Sequence, residues 1–215
     1  MKKDTRKIAA AGMLCALTYV VMAVGRVPVV LFLKYDPSDI IVTLGGLIWG
    51  PMMAFAVSAA VAVIEMLTVS DTGALGCIMN IVQTVSFACT AAAIYQKRRT
   101  LGGAVAGLLT GCAAMVTVMM LWNYFLTPLY MGYPREAVAE LLLPAFLPFN
   151  LLKAGLNASV TFLLYKPVVT ALRKSGLVPA AGSRRAQGRP AGLLLAAALA
   201  AATCLLFLLS WNSLI

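Results

Sequence analysis

Long apolar runs separated by short polar or charged breaks make up most of the chain. They cover about residues 8–25, 38–50, 51–69, 75–96, 101–127, 144–172 and 192–211. An α-helix needs about 20 mainly apolar residues to cross a ~30 Å hydrocarbon core, so the pattern predicts an all-α, polytopic membrane protein. The second run is too short to cross alone, and only Gly50 and Pro51 separate it from the third. Residues 38–69 are therefore either one long helix or a tight helical hairpin. Merging them would place Lys97, Arg98 and Arg99 on the face opposite the basic N-terminus. Splitting them gathers both clusters on one side, where loop cations set the cytoplasmic face. The hairpin reading follows.

With the N-terminus cytoplasmic, that face collects Lys2, Lys3, Arg6 and Lys7, then Lys97 to Arg99, then Lys166, Arg173, Lys174, Arg184, Arg185 and Arg189. Only Arg26, Lys34 and Arg135 fall outside, where Asp36, Asp39, Asp71, Glu136 and Glu140 also lie. The stretch Arg173 to Pro190 is basic and rich in Gly and Pro, as a linker is. The expected organisation is a six-helix membrane domain over residues 1–172, a cytoplasmic linker over 173–191, and an additional spanning helix over 192–215 that leaves the C-terminus outside. That last helix is rich in Ala and Leu without an ionisable side chain, and reads as an accessory anchor.

Composition agrees with this picture and removes several functions. Hydrophobic residues make up 62% of the chain and charged ones 11%, with a mean hydropathy of +0.93, against about 45–50% apolar content in soluble domains. The net charge of +10 lies in short clusters between apolar runs, so it reads as a topology signal and not as a nucleic-acid surface. The basic N-terminus leads into the first run without a convincing cleavage site, so the first helix is expected to stay. Five cysteines stand singly in apolar runs, like small buried hydrophobes. The chain has no histidine, no paired carboxylates at helical spacing within a run and no phosphate-cradling glycine loop. Metal hydrolysis, paired-carboxylate catalysis and ATP hydrolysis all lack their residues, which argues against a membrane enzyme and for a binding protein without cofactor or metal.

Polar side chains inside the apolar runs carry the chemistry. Asn80, Asn123, Asn150 and Lys153 fall at similar depths near the outer side, and burying them costs free energy unless they meet partners or a ligand. Asn150 and Lys153 are three residues apart, so one helix face presents an amide and an amine together. Asparagines also bond neighbouring helices, and lysines also snorkel to the interface, so polarity alone leaves both readings open. Glu65 and Asp71 read as solvated or bonded to loop groups. The first outer loop, RVPVVLFLKYDPSD from Arg26 to Asp39, is apolar, aromatic and charged at once. Pro37, Ser38 and Asp39 account for a helix start there, while Val29 to Tyr35 reads as a lid over the bundle mouth. In the first helix, Gly12 and Ala16 form a small-x-x-x-small pair that permits close helix approach.

Taken in order, LKYDPSDI (33–40), GGLIWGP (45–51), IMN (78–80), WNYF with TPLY (122–130) and PFNLLKAG (148–155) resemble a known family. It is the substrate-capture subunit, or S component, of energy-coupling factor (ECF) vitamin transporters, specifically the riboflavin-binding type, and the likeness runs over residues 8–172. The resemblance implies a six-helix bundle in the cell membrane that takes riboflavin from outside and docks on one membrane coupling subunit and two ATPases. It carries flavin-site roles onto Tyr35, Asn123, Asn150 and Lys153, with Asn80 and Asp36 as further members. The family's coupling contact, an Ala-x-x-x-Ala pair, has its nearest equivalent in Gly12 and Ala16. A flavin ring offers a broad apolar face and an imide-like edge that asparagine amides complement. An S component for flavin mononucleotide or another vitamin, or a stand-alone flavin carrier, remains the alternative. The linker and seventh span depart from the family pattern.

Overall fold

The computed structural model describes residues 2–30, 33–70, 73–132 and 134–175. The expected extra helix over 192–215 and all but the first residues of the linker lie outside them. Helix α1 runs Lys2–Gly25 and is followed by two short strands, β1 Val27–Val30 and β2 Leu33–Tyr35. Then come α2 Ser38–Trp49, α3 Pro51–Thr68, α4 Gly73–Lys97 and α5 Leu101–Met131. Helix α6, Arg135–Leu141, passes through a π-helical turn at Leu142–Phe146 into α7, Leu147–Lys174, so Arg173 and Lys174 belong to α7 and not to the linker. Five of these helical stretches are long and apolar enough to span a membrane, and α2 is a shorter apolar helix. The chain is a multi-pass, all-α membrane protein built on a six-helix bundle.

The hairpin between α2 and α3 is present, and Gly50 makes it. Its φ of 107° and ψ of 169° place it in a region open almost only to glycine, and Pro51 then opens α3 at a position where its missing N–H is not needed. The turn lies at the same end of the bundle as the C-terminus of α4, since Gln96 Nε2 donates to the Leu47 carbonyl at 3.5 Å. Gly25 meets Pro37 at the opposite end, so α1 runs antiparallel to α2, with Arg6 and Lys7 at the Gly50 end. Tyr95 and Tyr165 share a hydroxyl–hydroxyl hydrogen bond and an edge-on ring contact, which brings Lys166 to that end too. Among the described residues, the basic clusters therefore share one end, as the charge pattern requires.

Packing follows from small residues. A Cβ on Gly107 or on Gly111 would lie 2.7 Å from the carbonyl of Ala91 or of Phe87, so α5 approaches the backbone of α4 more closely than any side chain permits. Phe87, Ala91, Leu108, Met115, Met119, Ala154 and Ala158 fill the seam of α4, α5 and α7. Val42, Ala54, Val57, Val61 and Ala88 fill that of α2, α3 and α4, against Leu14, Cys15 and Tyr19 of α1. The described cysteines are free; the Cys89 and Cys112 thiols donate to the carbonyls of Pro51 and Ala154.

The first loop departs from an all-helical picture. It is an antiparallel β-hairpin with an irregularity between Pro28 and Val30. Its Leu33 is buried with Val138, Phe146 and Phe149, and Val29 packs against the same cluster. The hairpin thus lies over one end of the bundle as a cover. The start of α2 is capped differently from the expectation: neither Ser38 nor Asp39 caps it. Asp36 Oδ1 accepts from the Ser38 N–H at 2.8 Å, which leaves Asp39 for another task.

Candidate functional site

Asp39 sits in the first turn of α2, 3% exposed, at the centre of a polar network inside the apolar bundle. Its Oδ1 accepts from the Thr84 hydroxyl. Its Oδ2 accepts from Gln83 Nε2 at 3.3 Å and from Asn157 Nδ2 at 3.2 Å. The same oxygen faces the Lys153 ammonium at 3.6 Å. Lys153 is itself 5% exposed, so this is a buried ion pair whose carboxylate is fully supplied with donors, the condition under which such a pair is tolerated. Asn157 extends the network outward, because its Oδ1 accepts from the Tyr35 hydroxyl of β2 at 3.1 Å. Burial first, and then the negative charges of Asp39 and Asp36, push the Tyr35 phenol up to about 12.

Beside this network lies a second one. Glu65, 6% exposed on α3, accepts from the Arg26 guanidinium and, through its other oxygen, from Asn80 Nδ2 at 2.8 Å. Arg26 also reaches Asp36 at 3.4 Å. Burial lowers the Arg26 pKa, but the hydrogen bond and charge of Glu65, together with Asp36, more than offset it and leave the group above its ordinary value. Between the two networks is a cavity of about 30 Å³ lined by Thr18, Asp36, Asp39, Glu65, Asn80 and Lys153, among others. That volume suits about one water and is far too small for a ring system.

Asn123 on α5 and Asn150 on α7 are each 1% exposed and do not line that cavity. Asn150 Nδ2 donates to the Phe146 carbonyl at 2.8 Å, at the end of the π-helical turn that contains Pro144. Its Oδ1 has no partner, and neither has Asn123 Nδ2 or the indole N–H of Trp122. An unpaired donor and an unpaired acceptor thus stand on two helices that pack together, α5 and α7.

Of the residues singled out from the sequence, Asp36, Asn80 and Lys153 come together around one cavity, and Tyr35 is tied to it through Asn157. Asn123 and Asn150 form a separate buried polar pair of positions. Glu65 is bonded to the loop residue Arg26, as expected, and also to Asn80; Asp71 lies outside the described residues. Gly12 and Ala16 are exposed, on the α1 face that also carries Met13, Leu17 and Val20. A Cβ on Gly12 would meet nothing within 4 Å, so the described bundle does not use this pair for its own packing.

Sequence reasoning missed Asp39 as a site residue, having assigned it to capping, and missed Gln83, Thr84 and Asn157. Helical spacing held the signal. Asn157 is one turn beyond Lys153 and Thr84 one turn beyond Asn80, in each case a second polar residue on the same face of an apolar helix.

Residues 6–165 match the profile of a family described as the ECF transporter, substrate-specific component. The chain is similar to the riboflavin transporter FmnP of Bacillus subtilis (strain 168), 29% identical over 142 residues that make up 62% of this chain and 74% of that protein. It is also similar to the riboflavin transporter RibU of Staphylococcus aureus (strain TCH60), 26% identical over 181 residues, 80% of this chain and 95% of the relative. Among solved structures it resembles the S component of a bacterial ECF transporter, with a TM-score of 0.68 and 25% identity, covering 79% of this chain and 99% of that one. The match runs from α1 into α7 and takes in both polar networks, and the chain belongs to the family of substrate-specific components of ECF transporters.

Proposed function

We propose that this protein captures riboflavin at the hairpin-covered end of the bundle, which faces outside, and delivers it for ATP-driven uptake. The observation that carries the reading is the pair of orphaned amide atoms, Asn123 Nδ2 and Asn150 Oδ1, buried on adjacent helices. A donor and an acceptor held ready in an apolar wall complement the alternating acceptor and donor edge of an isoalloxazine ring. Both named relatives are riboflavin transporters, which supports the same ligand.

In this reading Lys153 donates to a ring carbonyl, and Tyr35 with the aliphatic hairpin residues covers the ring face. Asn80 and Asp36 meet the polyol chain beside the cavity. Because the cavity is about 30 Å³, binding requires α5 and α7, or the hairpin, to move outward from the α2 side. The work of transport comes from a membrane coupling subunit and two ATPases, since this chain has no phosphate-binding loop. The exposed Gly12–Ala16 face of α1 serves as the contact for the coupling subunit, its small residues letting a partner helix come close. The basic clusters set the N-terminus on the cytoplasmic side.

The test is direct. Protein purified without added ligand and titrated with riboflavin should quench flavin fluorescence to saturation at one ligand per chain. A folded protein that leaves flavin fluorescence unchanged at micromolar concentrations would refute the reading.

A further inference from the structure

The four donors around Asp39 set a question that ligand capture alone does not answer. A carboxylate has about four lone-pair sites, and Asp39 already faces Thr84, Gln83, Asn157 and Lys153. Three of these donors meet Oδ2 and one meets Oδ1, so the carboxylate is engaged mainly within the protein. Its neighbours reach further: Lys153 lines the cavity and, among the described residues, forms one ion pair, to Asp39, while carrying three N–H donors, and Asn157 passes the network on to Tyr35. The carboxylate therefore stands at the junction of three elements, α2, α4 and α7, and of the hairpin that covers them.

We infer that Asp39 is the positioning residue of this site, aiming the Lys153 ammonium into the cavity and holding the Tyr35 hairpin in place through Asn157. The inference rests on the proposed riboflavin site for its first arm only; the second concerns the ligand-free protein. Removing the negative charge, as in Asp39→Asn, frees the lysine to leave the cavity wall and leaves one amide oxygen where two carboxylate oxygens served four donors, so the Asn157 amide is no longer held. An amide free to turn no longer presents its Oδ1 to Tyr35. One substitution thus disturbs a ligand contact on α7 and a cover on a separate loop, which a residue of merely local importance would not do.

The experiment uses the full chain in nanodiscs, with Asp39→Asn, Lys153→Met and the double variant. If Asp39 acts through Lys153, the first two each weaken riboflavin binding at least about tenfold. The double variant then loses at least about threefold less affinity than the two single losses combined, because the lysine that Asp39 acts upon is already gone and only the effect through the hairpin remains. Hydrogen exchange without ligand reads the second arm. Asp39→Asn and Asn157→Leu speed exchange of the β1 and β2 amides by about tenfold or more, while Lys153→Met and the α5 amides stay unchanged. General loss of stability would speed both regions together. Should Asp39→Asn fail to fold with Lys153 left unpaired, the double variant restores a neutral core and carries the exchange measurement. Additive losses in binding, or hairpin exchange unaltered by Asp39→Asn and by the double variant, would overturn the inference. Wild-type protein that binds no riboflavin would defeat the proposed ligand while leaving the exchange result to decide the role of Asp39.

Discussion

Replacing Asn123 by leucine should separate stability from binding with opposite signs. The side chain is 1% exposed, and its Nδ2 is buried without a partner. An unsatisfied buried polar group costs about 1–3 kcal/mol. Its Oδ1 accepts from the Thr127 hydroxyl at 3.2 Å, a bond worth about 0.6 kcal/mol by the average of membrane-protein double-mutant cycles, and Thr127 keeps a further interaction. Leucine keeps the branch point and the number of side-chain heavy atoms but is bulkier, so the ligand-free variant should be more stable by about 0.5–2 kcal/mol less the cost of fitting its methyls. That corresponds to a rise of a few degrees in Tm at about 2–4 °C per kcal/mol for a chain of this size. With riboflavin the order reverses. The variant leaves a ring acceptor unpaired, costing about 1–3 kcal/mol, or roughly 5–150-fold in affinity. The wild type at a hundredfold excess over Kd gains about 2.7 kcal/mol from the ligand. Thermal melts of both proteins, with and without riboflavin, should therefore cross. A variant that melts below the wild type without ligand, or that keeps its full ligand-induced shift, would refute the assignment of Asn123 as a binding group held at a cost in stability.

Other expectations rest on separate features. Gly107→Leu, whose Cβ would lie 2.7 Å from the Ala91 carbonyl, should push α5 from α4 and destabilise the bundle by about 1–3 kcal/mol or more. Gly102→Leu, with open space around it, should change stability by less than about 0.5 kcal/mol; thermal melts of the two variants compare them. Tyr35 should titrate near 12 and not near its ordinary 10, read as the 295 nm absorbance lost in Tyr35→Phe. Because the folded value is raised, the stability tied to its protonated form is complete below about pH 10 and is lost as pH climbs through about 12. Tyr35→Phe should flatten that alkaline loss. Ala16→Trp, on the exposed α1 face, should leave riboflavin binding intact and abolish uptake in cells; undiminished uptake would remove that face from the coupling contact.

Charge and apolar period made the bundle legible. The Lys97–Arg99 cluster forced the split at Gly50 and Pro51, and the backbone at Gly50 supplies the turn that the split requires. Asn123, Asn150 and Lys153 stood out because polar groups in apolar helices are costly, and all three are buried. Two things were hidden. Asp39 looked like helix-start chemistry because caps are read from local sequence, whereas its partners come from 44, 45, 114 and 118 residues away. The β-hairpin was hidden because its strands have four and three residues, too short for a period to register, and its Leu33 is buried with residues of α6, α7 and the π-helical turn between them, far away in the chain.

The brevity of α2 has an electrical consequence. At about 1.5 Å per residue its 12 residues rise about 18 Å, while the 18 residues of α3, from the shared turn, rise about 27 Å. Asp39 and its partners therefore lie about 9 Å below the end of α3, at the floor of a well and not at its rim. Once the hairpin seals the well, a solute on that floor has crossed about a third of a ~30 Å insulating layer. With that end facing outside, as proposed, in a cell negative inside, each negative charge would then cost about 0.7 kcal/mol per 100 mV to bring there, from about 2.3 kcal/mol for the full crossing. A neutral vitamin is indifferent to that field. A doubly ionised phosphate ester would be held back by about 1.4 kcal/mol per 100 mV, so membrane voltage itself sorts the two before any side chain does.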